Sequence, residues 1–193
     1  MLNIVVINGG RGASSLIPHL ICKSYLHVNS IVNAYDDGKS TGEIRRFFHM
    51  LGPSDIRKVQ ELMLPLDQSG YSEILKLFRY RFPINCSNEE AINKISKFVC
   101  GEDPELLNFK IPTNKIRINI KIFLKYFIKF TRSIEDLNQK KFNFSDCSIM
   151  NCIYAGAYIY FKRDLQEATL FLGQLFGLRG FVLATSNENK TLV

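Results

Sequence analysis

The sequence lacks tryptophan and any long uninterrupted apolar run, although 46% of its 193 residues are hydrophobic. No apolar stretch reaches the roughly 20 residues of a membrane-crossing helix, so no membrane span is expected. Asn8 and two glycines interrupt the first apolar residues almost at once, so no secretory leader is expected either. The length fits one domain with a sizeable core and is too short for two full domains.

Cysteine is scarce, odd in number and irregularly spaced. The five cysteines are Cys22, Cys86, Cys100, Cys147 and Cys152. No two of them stand in a C-x-x-C arrangement, so neither a disulfide framework nor a cysteine metal site is expected. The three histidines show no ligand spacing. We therefore expect reduced thiols in a cytoplasmic protein.

Acidic residues are absent from Phe109 to Ile134, a segment with seven Lys or Arg in a chain whose net charge is +7. Such a segment can contact nucleic acid or a membrane surface. Alternatively, it is a core-packing helix with a solvated lysine face. We favour the helix and expect no nucleic-acid partner, because neither an aromatic stacking motif nor a recognised nucleic-acid fold accompanies the charge.

The first third of the chain reads as alternating strands and helices. Leu2 to Ile7 is a short β-branched apolar run, typical of a strand covered on both faces. A helix over 16–25, a strand over 30–35 and helices over 43–51 and 56–64 are predicted next. This order predicts a parallel, doubly wound α/β sheet with right-handed crossovers.

The middle of the chain, residues 66–143, is predicted to be a helical insertion or subdomain within a single domain 1–193. Helices are expected over 71–82 and 88–99, and Ser87 followed by Glu90 has the form of a capping box. The segment from Lys115 alternates like a strand but repeats its lysines like a helix, and its length favours a helix. Helices over 145–161 and 164–176, a cap at Gly177 and a strand over 181–185 complete the pattern.

A glycine-rich turn follows the first strand. Gly9, Gly10 and Gly12, with Arg11 between them, let the backbone turn sharply and approach a ligand closely. Ser14 or Ser15 is expected to cap the next helix, whose N-terminus then faces an anion. The turn alone is a weak motif, and glycine needed only for packing is the other interpretation.

Polar residues concentrate between Asp36 and Arg57, after the second predicted strand. At the carboxyl end of a strand, Asp36 and Asp37 can hold Mg²⁺, bind a ribose or accept a proton. Each residue also has a plain structural interpretation, as a turn, a cap or a solvated face; Ser54 or Asp55, for example, is a predicted helix cap. Their concentration favours a phosphate site, whose further members are Ser40, Thr41, Arg45, Asp55 and Arg57.

These motifs resemble the CofD-like superfamily, the 2-phospho-L-lactate transferase family with its YvcK-like gluconeogenesis-factor branch. The resemblance rests on the segments 5–12 (VVINGGRG), 36–45 (DDGKSTGEIR), 53–57 (PSDIR), 148–151 (SIMN) and 178–184 (LRGFVLA). It is strong over residues 4–64, moderate over 144–193 and slight between them.

The resemblance implies a Rossmann-like domain that binds a nucleotide or a nucleotide-linked phosphorylated substrate. Transferases of the family move a phospholactyl group from a guanylyl donor to a deazaflavin alcohol with Mg²⁺, and nucleotide and deazaflavin are substrates there. By analogy, residues 9–12 cradle phosphate, and Asp36 or Asp37 orients the acceptor or metal. Arg45 and Arg57 balance the charge, and Asn151 joins the site. The gluconeogenesis-factor branch instead implies a UDP-sugar sensor without turnover. We favour the transferase and leave a homo-oligomer open.

Three substitutions and a difference in length separate this chain from the family pattern. Arg11 stands where many members have threonine, Lys39 replaces a frequent glycine, and Met150 replaces the glycine before Asn151. Family members usually continue well beyond the position that matches Val193. We therefore expect an incomplete version of the family domain.

Overall fold

Three strands and eight helices make up the part of the chain that the computed structural model describes, residues 1–102 and 111–188. In chain order they are β1 (Leu2–Asn8), α1 (Ile17–Ile21), β2 (Leu26–Val32), α2 (Lys39–Phe48), α3 (Ser54–Leu62), α4 (Tyr71–Arg79), α5 (Asn88–Cys100), α6 (Asn114–Asn138), α7 (Ile149–Tyr160), α8 (Leu165–Leu175) and β3 (Gly180–Ala184).

The three strands form one parallel sheet with β2 in the middle, which confirms the predicted α/β class. Leu2 pairs with Leu26 in the β1–β2 register, and Val28 pairs with Gly180 in the β2–β3 register. The strand predicted over 30–35 in fact begins at Leu26 and ends at Val32. Its polar residues His27 and Asn29 break up the apolar run on which that prediction relied.

Within the described residues, only one face of the sheet is buried. Val28 and Val32 of β2 and Val182 of β3 are fully or almost fully buried on that face, and α3 contacts both strands. By alternation and register, five apolar side chains share the opposite face, which we call the open sheet face: Val5, Ile7, Ile31, Phe181 and Leu183. Val5, Ile7 and Phe181 are exposed there, so the prediction that β1 is covered on both faces is wrong.

Two predicted helix caps are also wrong. The helix expected over 16–25 is only five residues long, and it begins after Leu16 without a side-chain cap. The residues before it form consecutive turns, in which the Ser14 amide donates to the Arg11 carbonyl and the Ile17 amide to the Ala13 carbonyl. Because these turns place Leu16 at the N-cap position of α1, neither Ser14 nor Ser15 caps the helix. The N-cap of α3 is Pro53, so neither Ser54 nor Asp55 has that role.

The helices predicted over 71–82 and 88–99 are confirmed within the described residues, and the first of them ends earlier than predicted, at Arg79. Ser87 caps α5 as a capping box: its hydroxyl accepts from the Glu90 amide at 3.2 Å, and the Glu90 carboxylate accepts from the Ser87 amide at 2.8 Å. The ambiguous segment from Lys115 is helical as α6. One side of α6 buries Ile120 and Phe127, whereas Lys125 on the other side is exposed.

The basic segment therefore packs as a core helix with a solvated lysine face, as the favoured interpretation predicts. Its first two residues, Phe109 and Lys110, lie outside the described residues. Helix α6 makes its main contact with α7, where a Cβ added to Gly156 would lie only 1.9 Å from the Phe123 carbonyl oxygen. Glycine at this position lets the two helices approach backbone to backbone.

A single hydrophobic core joins the sheet to the helices. Helix α7 is buried along nearly its whole length, and Gly177 follows α8 with a φ of +61°, in the left-handed conformation that glycine favours. All five cysteines are free thiols. None of the helices in the described ranges combines the length and apolarity that a membrane crossing requires.

Candidate functional site

A pocket of about 570 Å³ lies beyond the carboxyl ends of β1 and β2, where an open parallel sheet places its ligands. Of the described residues that line it, five are cationic and three are acidic. The lining residues are Gly9, Gly10, Arg11, Gly12, Asp36, Gly38, Lys39, Ser40, Thr41, Ser54, Asp55, Arg57, Lys58, Arg81 and Asp146.

The first turns of two helices form one wall of this pocket. Ser40 and Thr41 belong to the first turn of α2, and Ser54 and Asp55 to that of α3. Neither helix has a side-chain cap. The first N–H groups of a helix lack intrahelical partners and carry its positive dipole end, so this wall favours a negatively charged ligand.

A buried network of hydroxyl and amide groups supports these two helix ends. The Asn151 amide nitrogen, in α7, lies 3.5 Å from the Ser40 hydroxyl and 3.3 Å from the Ser54 hydroxyl. The Thr41 and Ser54 hydroxyls are also hydrogen-bonded to each other. Asn151 is completely buried and does not line the pocket. It joins the site by fixing the side chains behind the wall.

All four residues of the glycine turn after β1 line the pocket, and Gly10 also packs closely against α3. A Cβ added to Gly10 would lie 2.4 Å from one carboxylate oxygen of Asp55 and 2.9 Å from its Cα. Glycine is therefore required at this position for the packing of α3 against the turn. Gly12, by contrast, has no heavy atom near its added Cβ and opens into the pocket.

Arg57 is the most deeply buried cation of the pocket, with 7% of its side chain exposed. Its Nη1 donates to the Phe78 carbonyl at 2.7 Å and lies 3.8 Å from a Glu61 carboxylate oxygen. Burial is the main cause that lowers the pKa of Arg57 below its ordinary value, and Glu61 opposes that shift. Its Nε is buried without a hydrogen-bond partner among the described residues.

The two adjacent acids occupy different surroundings. Asp36 lines the pocket and accepts a hydrogen bond from the Gly38 amide at 3.3 Å, as in an Asx turn. Asp37 does not line the pocket; its carboxylate oxygens each lie 3.5 Å from a guanidinium, those of Arg45 and Arg46. Arg45 also donates to the Tyr35 carbonyl at 3.0 Å. The structure thus brings only Asp36 of this pair to the ligand space.

Most of the sequence-predicted site residues lie around one cavity. The residues that line it are Gly9, Gly10, Arg11, Gly12, Asp36, Ser40, Thr41, Asp55 and Arg57. Asn151 lies behind the wall, and Asp37 and Arg45 pair with each other beside it.

Sequence reasoning missed Lys58, Arg81 and Asp146 as pocket residues, and it named Lys39 only as a departure from the family pattern. Lys58 lies one helical step from Arg57, and its Nζ is 2.9 Å from Asp55. A search for cations next to the PSDIR motif would have found it. Arg81 and Asp146 have no such local signal, since only the fold brings them together.

The pocket fits a magnesium ion held mainly by the phosphates of a ligand. Among the described residues, no group of three or more His, Cys, Asp or Glu side chains could hold a metal by itself. Mg²⁺ usually takes one or two carboxylates and completes its coordination with phosphate oxygens and water. Asp36 meets that requirement, whereas the carboxylate of Asp37 is already paired with two arginines.

Fold and pocket define an α/β protein with a ligand pocket at the carboxyl ends of its parallel strands. The family model described as 2-phospho-L-lactate transferase CofD matches residues 4–193. The chain therefore belongs to the CofD family.

Curated relatives with similar sequences are gluconeogenesis factors. The gluconeogenesis factor of Listeria monocytogenes is 37% identical over 82 residues, which are 42% of this chain and 24% of that protein. The putative gluconeogenesis factor of Thermoanaerobacterium thermosulfurigenes is 30% identical over 138 residues, and the match covers 61% of this chain and 41% of the relative. The matches thus span well under half the length of these relatives.

A solved structure shares the fold. The crystal structure of a UPF0052 family member from Bacillus halodurans is 20% identical to this chain, with a TM-score of 0.58. The match covers 97% of this chain and 41% of that one.

Proposed function

We propose that the pocket binds a nucleotide or another nucleotide-linked phosphorylated compound, and that the chain takes part in 2-phospho-L-lactate transferase-type group transfer. One observation carries the proposal: two uncapped helix N-termini and five cationic side chains surround a single pocket that holds three carboxylates. This balance of charge suits a phosphate ester, because cations and helix ends stabilise its oxygens while carboxylates can bind hydroxyl groups.

Arg57 is the anchor of the phosphate in this proposal. Its guanidinium is fixed by the Phe78 carbonyl, and the residue lines the pocket. A buried charge has few water molecules to replace, so its attraction for an anion is stronger than that of a surface lysine. The first turn of α2, with the hydroxyls of Ser40 and Thr41, supplies further donors.

Asp36 is the proposed base and metal-binding carboxylate. In the transfer, the acceptor hydroxyl oxygen forms a bond to the phosphorus of the phospholactyl group, the guanylate leaves, and the hydroxyl proton needs an acceptor. Asp36 is a carboxylate of the pocket without a cationic partner among the described residues, and it can take that proton. Mg²⁺, when bound, would offset the negative charge of the phosphates.

A non-catalytic UDP-sugar-binding regulator is the second candidate. It rests on the resemblance to the gluconeogenesis-factor branch, whose name the similar curated proteins carry. The same pocket would then hold the diphosphate, and no proton acceptor would be needed.

The first experiment is isothermal titration of the folded chain with GDP, GMP, UDP-N-acetylglucosamine and a deazaflavin, with and without Mg²⁺. Binding of a guanine nucleotide or the deazaflavin supports the transferase and calls for a turnover assay. Binding of the UDP-sugar alone favours the regulator. No heat with any of these ligands contradicts the proposal.

Two carboxylate variants separate catalysis from binding. Asp36→Asn should abolish transfer while leaving nucleotide affinity within a few-fold, since the amide keeps the size of the side chain. Asp37→Asn is its comparator, because this neighbour does not line the pocket. Lys76→Ala serves as a surface control: Lys76 pairs with Glu73 away from the site. Equal loss of transfer in both aspartate variants would argue against Asp36 as the base.

A further inference from the structure

A second pocket adjoins the main one. Its volume is about 390 Å³, and it shares Lys39, Ser40 and Asp146 with the main pocket. Three charged residues lie at the boundary between the two pockets: Lys39, Arg81 and Asp146. The Asp146 carboxylate pairs with both cations, and the Lys39 Nζ lies 3.8 Å from one of its oxygens. We call these three residues the junction.

Arg81 is held at the junction by two of its three guanidinium nitrogens, Nε and Nη2. Its Nε donates to the Asp146 carboxylate at 2.6 Å, and its Nη2 donates to the Asp146 carbonyl at 2.5 Å. Nη2 also lies 3.4 Å from the Ser40 hydroxyl, at the helix end that forms the pocket wall. Among the described residues, Nη1 has no hydrogen-bond partner, so two N–H donors of a fixed guanidinium remain available.

The side chain of Arg81 is not needed to join these two parts of the fold. The backbone already does so: the Phe82 amide donates to the Cys147 carbonyl at 2.9 Å, and the Ile149 amide donates to the Tyr80 carbonyl at 3.2 Å. A purely structural role would therefore add little to an existing connection. Arg81 instead lines the main pocket.

The backbone at the junction is also unusual. Asp146 has a φ of +52° and Lys39 a φ of +44°, left-handed values that non-glycine residues rarely adopt. Such conformations are retained where the surrounding structure imposes them, and they concentrate at functional sites. In this conformation, both the carboxylate and the backbone carbonyl of Asp146 accept hydrogen bonds from the Arg81 guanidinium.

We infer that Arg81 is a ligand-binding residue that donates from Nη1 to a phosphate oxygen in the main pocket, and that Asp146 is the residue that positions it. This inference rests on the proposed phosphate-binding function and extends it to residues outside the recognised motifs. The lining of the second pocket contains two basic and two acidic side chains, Lys39, Arg46, Glu43 and Asp146. Because these charges balance, the second pocket does not favour an anion. We therefore place the phosphate in the main pocket, on the Arg81 side of the junction.

The test is a double-mutant cycle measured by isothermal titration with GDP, UDP-N-acetylglucosamine and inorganic pyrophosphate. Arg81→Ala should weaken binding about 10- to 100-fold, the range for hydrogen bonds to a charged group. Arg81→Lys, which keeps the charge but loses the planar fork, should weaken it less. Asp146→Asn should weaken binding about 3- to 10-fold when Arg81 is present and should change nothing when residue 81 is alanine, the non-additivity expected of a positioning residue.

Each result decides between the hypotheses. If the unaltered chain binds none of the three probes, and neither GMP nor the deazaflavin, the proposed function fails and this inference fails with it. If it binds and Arg81→Ala binds equally well, the function stands and the inference is overturned. An equal effect of Asp146→Asn in both backgrounds, or a gain in affinity, overturns the positioning role. Thermal unfolding checks that each variant is folded. If Arg81→Ala does not fold, Arg81→Lys takes its place. Lys76→Ala is the surface control.

Discussion

At the scale of single residues, Glu61 shows how burial changes the value of an ion pair. Two arginines approach its carboxylate, Arg57 from the interior and Arg79 from the surface. The Arg79 pair is the shorter, with 2.7 Å between Nε and the carboxylate oxygen, but 66% of the Arg79 side chain is exposed. Distance alone would rank Arg79 first, whereas solvent screening and the hydrogen bond to Phe78 give Arg57 the larger effect.

Arg57→Met should therefore lower the free energy of unfolding by about 2–4 kcal/mol, because the Phe78 carbonyl and Glu61 lose a buried charged partner. Arg79→Met, the matched change on the other side of Glu61, should cost no more than about 1 kcal/mol. Urea denaturation of both variants measures the difference. Similar losses in the two variants would show that burial does not control the strength of these pairs.

At the scale of secondary-structure elements, the contact between α6 and α7 depends on one missing side chain. Gly156 lies against the backbone of Phe123, and the space for a Cβ is absent. Gly173 in α8 is also a helix glycine, but a Cβ there would find its nearest neighbours at 3.5 Å, an ordinary van der Waals distance.

Gly156→Ala should destabilise the protein by about 2–4 kcal/mol, since α6 and α7 must separate to admit the methyl group. Gly173→Ala should be neutral or stabilise by up to about 1 kcal/mol, because alanine is the better helix former and fits the available space. Thermal unfolding monitored by circular dichroism compares the two. A stabilising Gly156→Ala would contradict the close helix approach.

Elements whose determinants are local could be predicted from the sequence. The capping box of Ser87 and Glu90 depends on residues three apart, and its α5 begins at the predicted Asn88. The length of the segment from Lys115 was enough to favour a helix. The cap predicted for α1 was wrong because serine suits both caps and turns, and the turns at 11–16 formed instead.

The candidate site was predictable only in part. Residues within the DDGKSTGEIR and PSDIR motifs are close in sequence, and their concentration indicated a pocket, most of which the structure assembles from them. Arg81 and Asp146 are 65 positions apart and become neighbours through the pairing of residues 80–82 with 147–149. No sequence pattern encodes that pairing. Similarly, the side chain of Asp55 near Gly10 could not be foreseen from a glycine count.

At the scale of the whole molecule, the parallel sheet has one core face and one open face. Two valines on adjacent strands allow the two faces to be compared by the same substitution. Val28 of β2 is completely buried, whereas Val5 of β1 on the open sheet face is 58% exposed. Parallel sheets usually have both faces covered. Comparing the stability cost of a substitution on each face therefore tests whether one face of this sheet is open.

Val28→Ala should lower the free energy of unfolding by about 2–3 kcal/mol, through lost burial and a cavity. Val5→Ala should cost about 1 kcal/mol or less, mostly from the lower strand propensity of alanine. Chemical denaturation of both variants at one protein concentration gives the comparison. An equal cost at both positions would mean that the open sheet face is covered in solution.

The pocket walls come from chain segments that start at residue 9 and end at residue 146. The turn after β1, helices α2 and α3, and the α4–α5 and α6–α7 connections all contribute. A ligand in this pocket would contact all of these segments at once, and the unfolded chain would offer it no comparable site. Its binding energy would then add to the stability of the fold, by about 2.7 kcal/mol at a ligand concentration one hundred times Kd. An occupied pocket would thus act as a reversible cross-link, slowing the local opening and the amide exchange of elements that never touch the ligand.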